Sequence, residues 1–162
     1  MDFLLEAFSF DWKLALVDFM RVALAFALAV PIGWERHKSD RNLGLRTFPI
    51  VAMAACGFML IIKNMDGANA ETNSRLIQGL ISGIGFIGGG AILKEGANVR
   101  GLATASSIWC TGAIGTAVAF GREEIGVVLS LITFLTLRLL TPVVETDGYN
   151  NDAGKKDHKK SE

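Results

Sequence analysis

The chain has 162 residues, 51% of them hydrophobic, and its mean hydropathy is positive, which sets it apart from an average soluble domain. Its 16 basic and 16 acidic residues cancel, so the total charge says nothing of partners and only the distribution is informative. Two cysteines, Cys56 and Cys110, without metal-ligand spacing exclude a zinc scaffold and read as small buried packing residues.

A membrane-spanning helix needs about 20 mostly apolar residues, and five segments meet or approach that length. The first runs from Leu14 to Ile32 and contains Asp18 and Arg21. The second, Thr47 to Ile62, is uncharged but short. The third, Leu76 to Leu93, is uncharged and crowded with Gly79, Gly83, Gly85, Gly88, Gly89 and Gly90. The fourth, Gly101 to Gly121, carries no charge, and the fifth, Ile125 to Val144, holds only Arg138. The expected fold is an all-α integral membrane protein, a bundle of about five transmembrane helices over residues 14–144. An extracytoplasmic segment, residues 1–13, precedes it. Residues 145–162 form a polar tail, rich in Asp, Asn, Gly and Lys, that is expected to be disordered in the cytoplasm. It is too short to bury the core of a further domain.

Loop charges set the expected orientation. One side holds Lys13, Lys63, Arg75 and Arg122. The other holds Arg36, Lys38, Arg41, Arg46, Lys94, Arg100, Lys155, Lys156, Lys159 and Lys160, ten basic residues against four. Cytoplasmic loops carry the excess of Lys and Arg, so the N-terminus is expected outside and the C-terminus inside. The acidic, aromatic stretch Met1 to Asp11 is unlike the basic start of a signal peptide. It suits the outer interface, as does Trp12.

Glycine costs a soluble helix roughly 1 kcal/mol relative to alanine, whereas membrane helices use small residues for close backbone contact. Gly83-Ile84-Gly85-Phe86-Ile87-Gly88 matches G-x-G-x-x-G, but the flanking strand and acidic residue of a dinucleotide site are missing. Packing is the better reading. Gly79 with Gly83, and Gly85 with Gly89, are G-x-x-x-G pairs. Ala103, Ser107, Thr111, Gly115 and Ala119 form a matching ridge on the fourth span. These surfaces predict a tight third–fourth hairpin at the centre of the bundle. The run Gly88-Gly89-Gly90 is the best place for a broken helix lining a pathway.

Gly33-Trp34-Glu35-Arg36 ends the first span, and Gly44-Leu45-Arg46-Thr47 opens the second. A charged hinge from Lys94 through Glu95, Asn98 and Arg100 leads into Gly101-Leu102-Ala103-Thr104. The shared Gly-Leu-x-Thr pattern points to two hairpins repeated about an axis along the membrane normal. Helix N-termini favour anions, so Arg46 and Arg100 read in two ways. They hold an anion at the cytoplasmic face, or they anchor helix ends and pair with Glu35 and Glu95. Anchoring is the preferred reading. Asp18 and Arg21 sit at i, i+3 and are placed to pair, and charges at membrane depth point to function.

These segments resemble the MgtC/SapB family of bacterial inner-membrane proteins. The resemblance rests on Gly33-Trp34-Glu35-Arg36, Gly44-Leu45-Arg46-Thr47, Ser82 to Gly90, Asn98 to Ala105, Ser107-Ile108-Trp109 and Gly112-Ala113-Ile114-Gly115, over residues 14–140. Arg21 and Arg75 also fall where that family tends to carry arginine. The resemblance implies a link to growth in low magnesium and to virulence. It implies a regulator that acts on other membrane complexes such as the ATP synthase. Many members add an ACT-like cytoplasmic domain, so this chain reads as a short form.

The expected function is therefore regulation of magnesium and ion homeostasis and membrane energetics from the inner membrane. A small transporter or channel is the alternative. Magnesium wants carboxylate and other oxygen ligands, and the one intramembrane carboxylate, Asp18, has an arginine beside it. An anionic substrate fits the basic mouth better. No nucleophile–base pair is visible, so no enzymatic activity is expected. No cofactor or metal is expected either. Expected partners are membrane lipids, a membrane complex and a second copy of the chain; nucleic acid is not expected. The candidate functional residues are Asp18, Arg21, Glu35, Arg36, Arg46, Thr47, Arg75, Glu95, Asn98, Arg100, Thr104 and Trp109. Gly79, Gly83, Gly85, Gly88, Gly89, Gly90, Ser107, Thr111 and Gly115 are the candidate packing residues.

Overall fold

The computed structural model describes residues 11–39, 44–65, 70–95 and 98–158, with residues 39, 95, 98 and 141–158 described by backbone alone. Among the described residues there are five helices: α1 Trp12–Ser39, α2 Thr47–Lys63, α3 Ala70–Gly90, α4 Leu102–Ala119 and α5 Glu123–His158. Between α3 and α4 lies a small antiparallel hairpin of β1 Leu93–Glu95 and β2 Asn98–Arg100, with Leu93 opposite Arg100 and Lys94 opposite Val99. The expected hinge is thus a paired ribbon. Its signal was a glycine, Gly96, between two short alternating runs.

Local chemistry sets the ends of the helices. Asp11 Oδ1 accepts from the amides of Lys13 and Leu14 at 2.9 and 3.2 Å and so caps α1. α1 then runs past Ile32 to Ser39, which puts Gly33 and Arg36 inside its last turns. α3 closes with i to i+3 turns, Ala91 N–H to Gly88 O and Ile92 N–H to Gly89 O. The triple glycine therefore ends this helix and does not break it midway. α4 ends in a Schellman turn: Arg122 N–H donates to Ala117 O, Gly121 N–H to Val118 O, and Gly121 takes φ +72°. The backbone of α5 continues as helix to His158, through most of the tail expected to be disordered. Extending a nucleated helix adds a hydrogen bond for each residue fixed, whereas starting one is costly. Residues 1–10 and 159–162, part of the expected flanking segments, lie outside the described residues.

The core is built along α2 and α4, the pair in most extensive contact. α2 buries Phe48, Val51, Ala52, Ala55, Cys56, Met59 and Ile62, one helical face. α4 buries Thr104, Ser107, Ile108, Thr111, Gly112, Ile114, Gly115 and Val118. Val51 and Ala55 share a cluster with Ile108 and Ile114, while Cys56 and Met59 share one with Val118, so the two helices run parallel. α1 packs antiparallel against α2, with Ile32 in the cluster of Phe48 and Ala25 in the cluster of Met59. α5 lies along α1 and α4.

This arrangement corrects the expected central hairpin of α3 and α4. The small ridge on α4 faces α2: a Cβ on Gly115 would overlap Ala52 O and reach 3.0 Å from Cys56 N. Ser107 and Thr111 are buried on the same helix, and their hydroxyls donate to the carbonyls of Ala103 and Ser107 at 2.6 and 2.7 Å. Self-satisfied hydroxyls leave that surface apolar toward its neighbour. α3 is peripheral and buries only Ile84 and Gly88. Gly88 alone of its candidate glycines meets a neighbour, Ala105 O, at 3.3 Å from a Cβ, while Gly79, Gly83, Gly85, Gly89 and Gly90 face open space. A small side chain is compatible with any close neighbour, and α4 found α2.

Large apolar side chains cover the outside, among them Phe19, Phe58, Phe86, Ile132 and Leu139. So much exposed apolar surface suits lipid and would be a liability in water. α1 and α4 are long and apolar enough to cross a membrane by length and composition, and α2 is apolar over 17 residues. One side-chain bond ties distant helices: Ser130 Oγ donates to Leu28 O at 2.6 Å. It falls beside Pro31, whose missing N–H already weakens the ladder of α1.

Gly115→Ala is expected to lower stability by about 1–3 kcal/mol, because the atoms it strikes are backbone. Gly112→Ala strikes the Ile84 side chain, chiefly its terminal Cδ1, with no backbone atom among the nearest neighbours, and is expected to cost less than about 1 kcal/mol. Thermal melts of purified protein in detergent order the two, and equal losses would contradict this packing. Ser130→Ala in the same assay is expected to cost about 0.6 kcal/mol, the usual worth of such a bond between membrane helices.

Candidate functional site

The two glycines of the Gly-Leu-x-Thr echo do the same job. Gly44 lies against the backbone of His37 at the end of α1, where a Cβ would sit 2.7 Å from His37 Cα. Gly101, at φ +86°, lies against Ala91 O just past the end of α3. In each case a glycine lets the chain turn back tightly and start the next helix. The end of the bundle that holds both turns and the ribbon is here called the hairpin end.

Arg36 is the residue that stands out there. It is only 8% exposed, and its Nε is shielded with no hydrogen-bond partner. Glu35 pairs with Lys38 at 3.4 Å, so the expected pairing of Glu35 with Arg46 does not form. The two residues of the observed pair share one helix at i, i+3, and Arg46 is exposed. Arg46 is the N-cap of α2 and α2 has no side-chain cap; α4 likewise starts from Gly101 without one. Thr47 is half-buried and Thr104 is 2% exposed. Arg100 is exposed on β2. Glu95 and Asn98 are opposite each other in the ribbon, and their side chains lie outside the described residues. Trp109 is half-exposed on α4.

The opposite end carries a second polar group. Asp18 and Arg21 are half-buried on α1. They form no ion pair with each other among the described residues. Asp18 Oδ1 is instead shielded within the bundle and unpartnered. Asn73 Oδ1 on α3 is shielded and unpartnered too. Sequence reasoning missed Asn73 because it placed the third span from Leu76. The spacing Asn73, Ile77, Leu80, Ile84 would have extended that face by one turn. Arg75 is exposed and pairs with Glu71 at 2.7 Å. Arg122 beside Glu124 holds that exposed carboxyl below its usual value.

The structure thus separates the candidates into two ends and does not bring them into one site. Among the described residues no three His, Cys, Asp or Glu side chains converge.

Comparison with known proteins fixes the lineage. The MgtC family model matches residues 22–146. MgtC of Brucella abortus is 39% identical over 76% of this chain and 51% of its own length. YhiD of Escherichia coli, named as a candidate magnesium transporter, is 35% identical over 74% of this chain and 59% of its own. SrpB of Synechococcus elongatus is 34% identical over 72% of this chain and 71% of its own. The chain spans about half the length of MgtC from Brucella. No solved structure matches it. With the helical bundle, its apolar exterior and the match from residue 22 to 146, the chain belongs to the MgtC family of membrane proteins.

Proposed function

We propose that this chain is a regulator of magnesium and ion homeostasis that acts by docking on other complexes of the bacterial inner membrane. All five helices span the bilayer, with the N-terminus outside and the hairpin end in the cytoplasm, as the ten-to-four division of basic residues favours. The relatives named MgtC and YhiD support the link to magnesium. The ATP synthase is one candidate complex. No catalytic step and no cofactor belong to this reading.

The observation that carries docking is the outer face of α3. Five glycines there have open space where a side chain would stand, on a helix that the rest of the bundle holds by one flank. In lipid such a face lets a partner's transmembrane helix come within backbone contact. A second reading, a small transporter, is favoured by one observation, the shielded and unpartnered Asp18 Oδ1 inside the bundle.

Gly83→Leu separates the two. A Cβ at this position meets nothing in the chain, so the variant's melt is expected to stay within about 0.5 kcal/mol of wild type. Chemical crosslinking in membranes is expected to lose the captured membrane complex in this variant. In sealed proteoliposomes carrying magnesium and pH dyes, wild type is expected to pass neither ion. A flux abolished by Asp18→Asn, with crosslinking indifferent to Gly83→Leu, would overturn the regulator and leave the transporter.

A further inference from the structure

Arg36 is a guanidinium in a place that normally demands a counter-charge. A buried charge left unpaired costs several kcal/mol, so buried arginines are paired and hydrogen-bonded. Arg36 is more than nine-tenths buried and its Nε has no partner. Among the described residues no ion pair involves it, and the adjacent carboxylate, Glu35, is held by Lys38.

Its surroundings are those of an anion site. Arg36 lies one turn beyond Ile32 on the same face of α1, and Ile32 shares a cluster with Phe48, in the first turn of α2. One turn past that contact is the lead-in to α2, where Gly33 and His37, on either side of Arg36, pack against Gly44 and Leu45. Arg36 is therefore level with the start of α2, a helix of 17 residues that has no side-chain cap. In its first turn Phe48 N–H donates to Gly44 O, Ile50 N–H to Arg46 O, and Pro49 has no N–H, so the Thr47 amide and the helix dipole are what remain to favour negative charge. Arg46 at the N-cap adds positive charge on the exposed rim, while Lys38 on the last turns of α1 is neutralised by Glu35.

We propose that the hairpin end binds a phosphate oxyanion between the Arg36 guanidinium and the N-terminus of α2. The planar fork of arginine takes two oxygens of such a group, and the Thr47 amide takes a third. A lipid headgroup and free phosphate share this chemistry. The site stands on Arg36 and does not depend on whether the protein regulates or transports.

The test uses the full chain in a maltoside detergent, which has no phosphate, at fixed ionic strength. One arm titrates inorganic phosphate. The other adds phosphatidylglycerol, with a galactosyl diacylglycerol as the phosphate-free control. Wild type is expected to gain about 2–4 °C in melting temperature in at least one arm, and the arm that responds names the source. Arg36→Leu is expected to show no gain in either arm, yet to melt at or above wild type without phosphate, because it removes an unpaired buried charge. Arg36→Lys keeps the charge but not the fork and is expected to bind about tenfold more weakly; it carries the test if the leucine variant does not fold. No gain in wild type with either source, or an equal gain in the Arg36 variants, would overturn the proposal.

Discussion

Everything in this bundle is arranged around the line where α2 and α4 touch. Gly115 leaves room there for the Ala52 carbonyl and the Cys56 amide, and no residue with a Cβ could do so. Lipid tails are as apolar as leucine, so helices in a membrane gain little from burying apolar surface and must gain from close packing. The parallel pair is then clasped by α1 on one flank and reached by α3 on another, with α5 along α1 and α4.

A consequence is the likeness between the two hairpins. In each, a first helix runs toward the hairpin end, a glycine turns the chain sharply, and the second helix returns as half of the central pair. Gly44 and Gly101 are equivalent in that role although their backbones differ, since only Gly101 takes positive φ. The connections differ more. In their described parts one ends in the lead-in Gly44-Leu45-Arg46, and the other holds two short strands that pair with each other. The first hairpin buries Arg36 at its turn, whereas the second ends in glycines and has no counterpart.

The polar groups divide by what they face. Hydroxyls on α4 bond the carbonyl one turn back and become silent. Surface charges pair locally on their own helices, as Glu35 does with Lys38 and Glu71 with Arg75, and such pairs are worth little. Among the described residues three side-chain atoms stand apart as shielded and unpartnered, on Asp18, Arg36 and Asn73. Two oxygens lie at one end and a guanidinium nitrogen at the other.

The amino-acid sequence by itself determined the five helices, because apolar runs, glycine stops and the Asp11 cap act within a few residues of where they stand. It also determined the lineage, through Gly-Trp-Glu-Arg and the paired Gly-Leu-x-Thr turns. Tertiary structure alone decided which helix the ridge of α4 would meet, that the glycines of α3 would face outward, and that Asp18 and Arg21 would not pair. It alone decided that Arg36 would be buried while Arg46 and Arg100 stayed exposed. Small residues and charges at helical spacing define a face but not its neighbour, and the neighbour is chosen by the closest fit among all the helices at once.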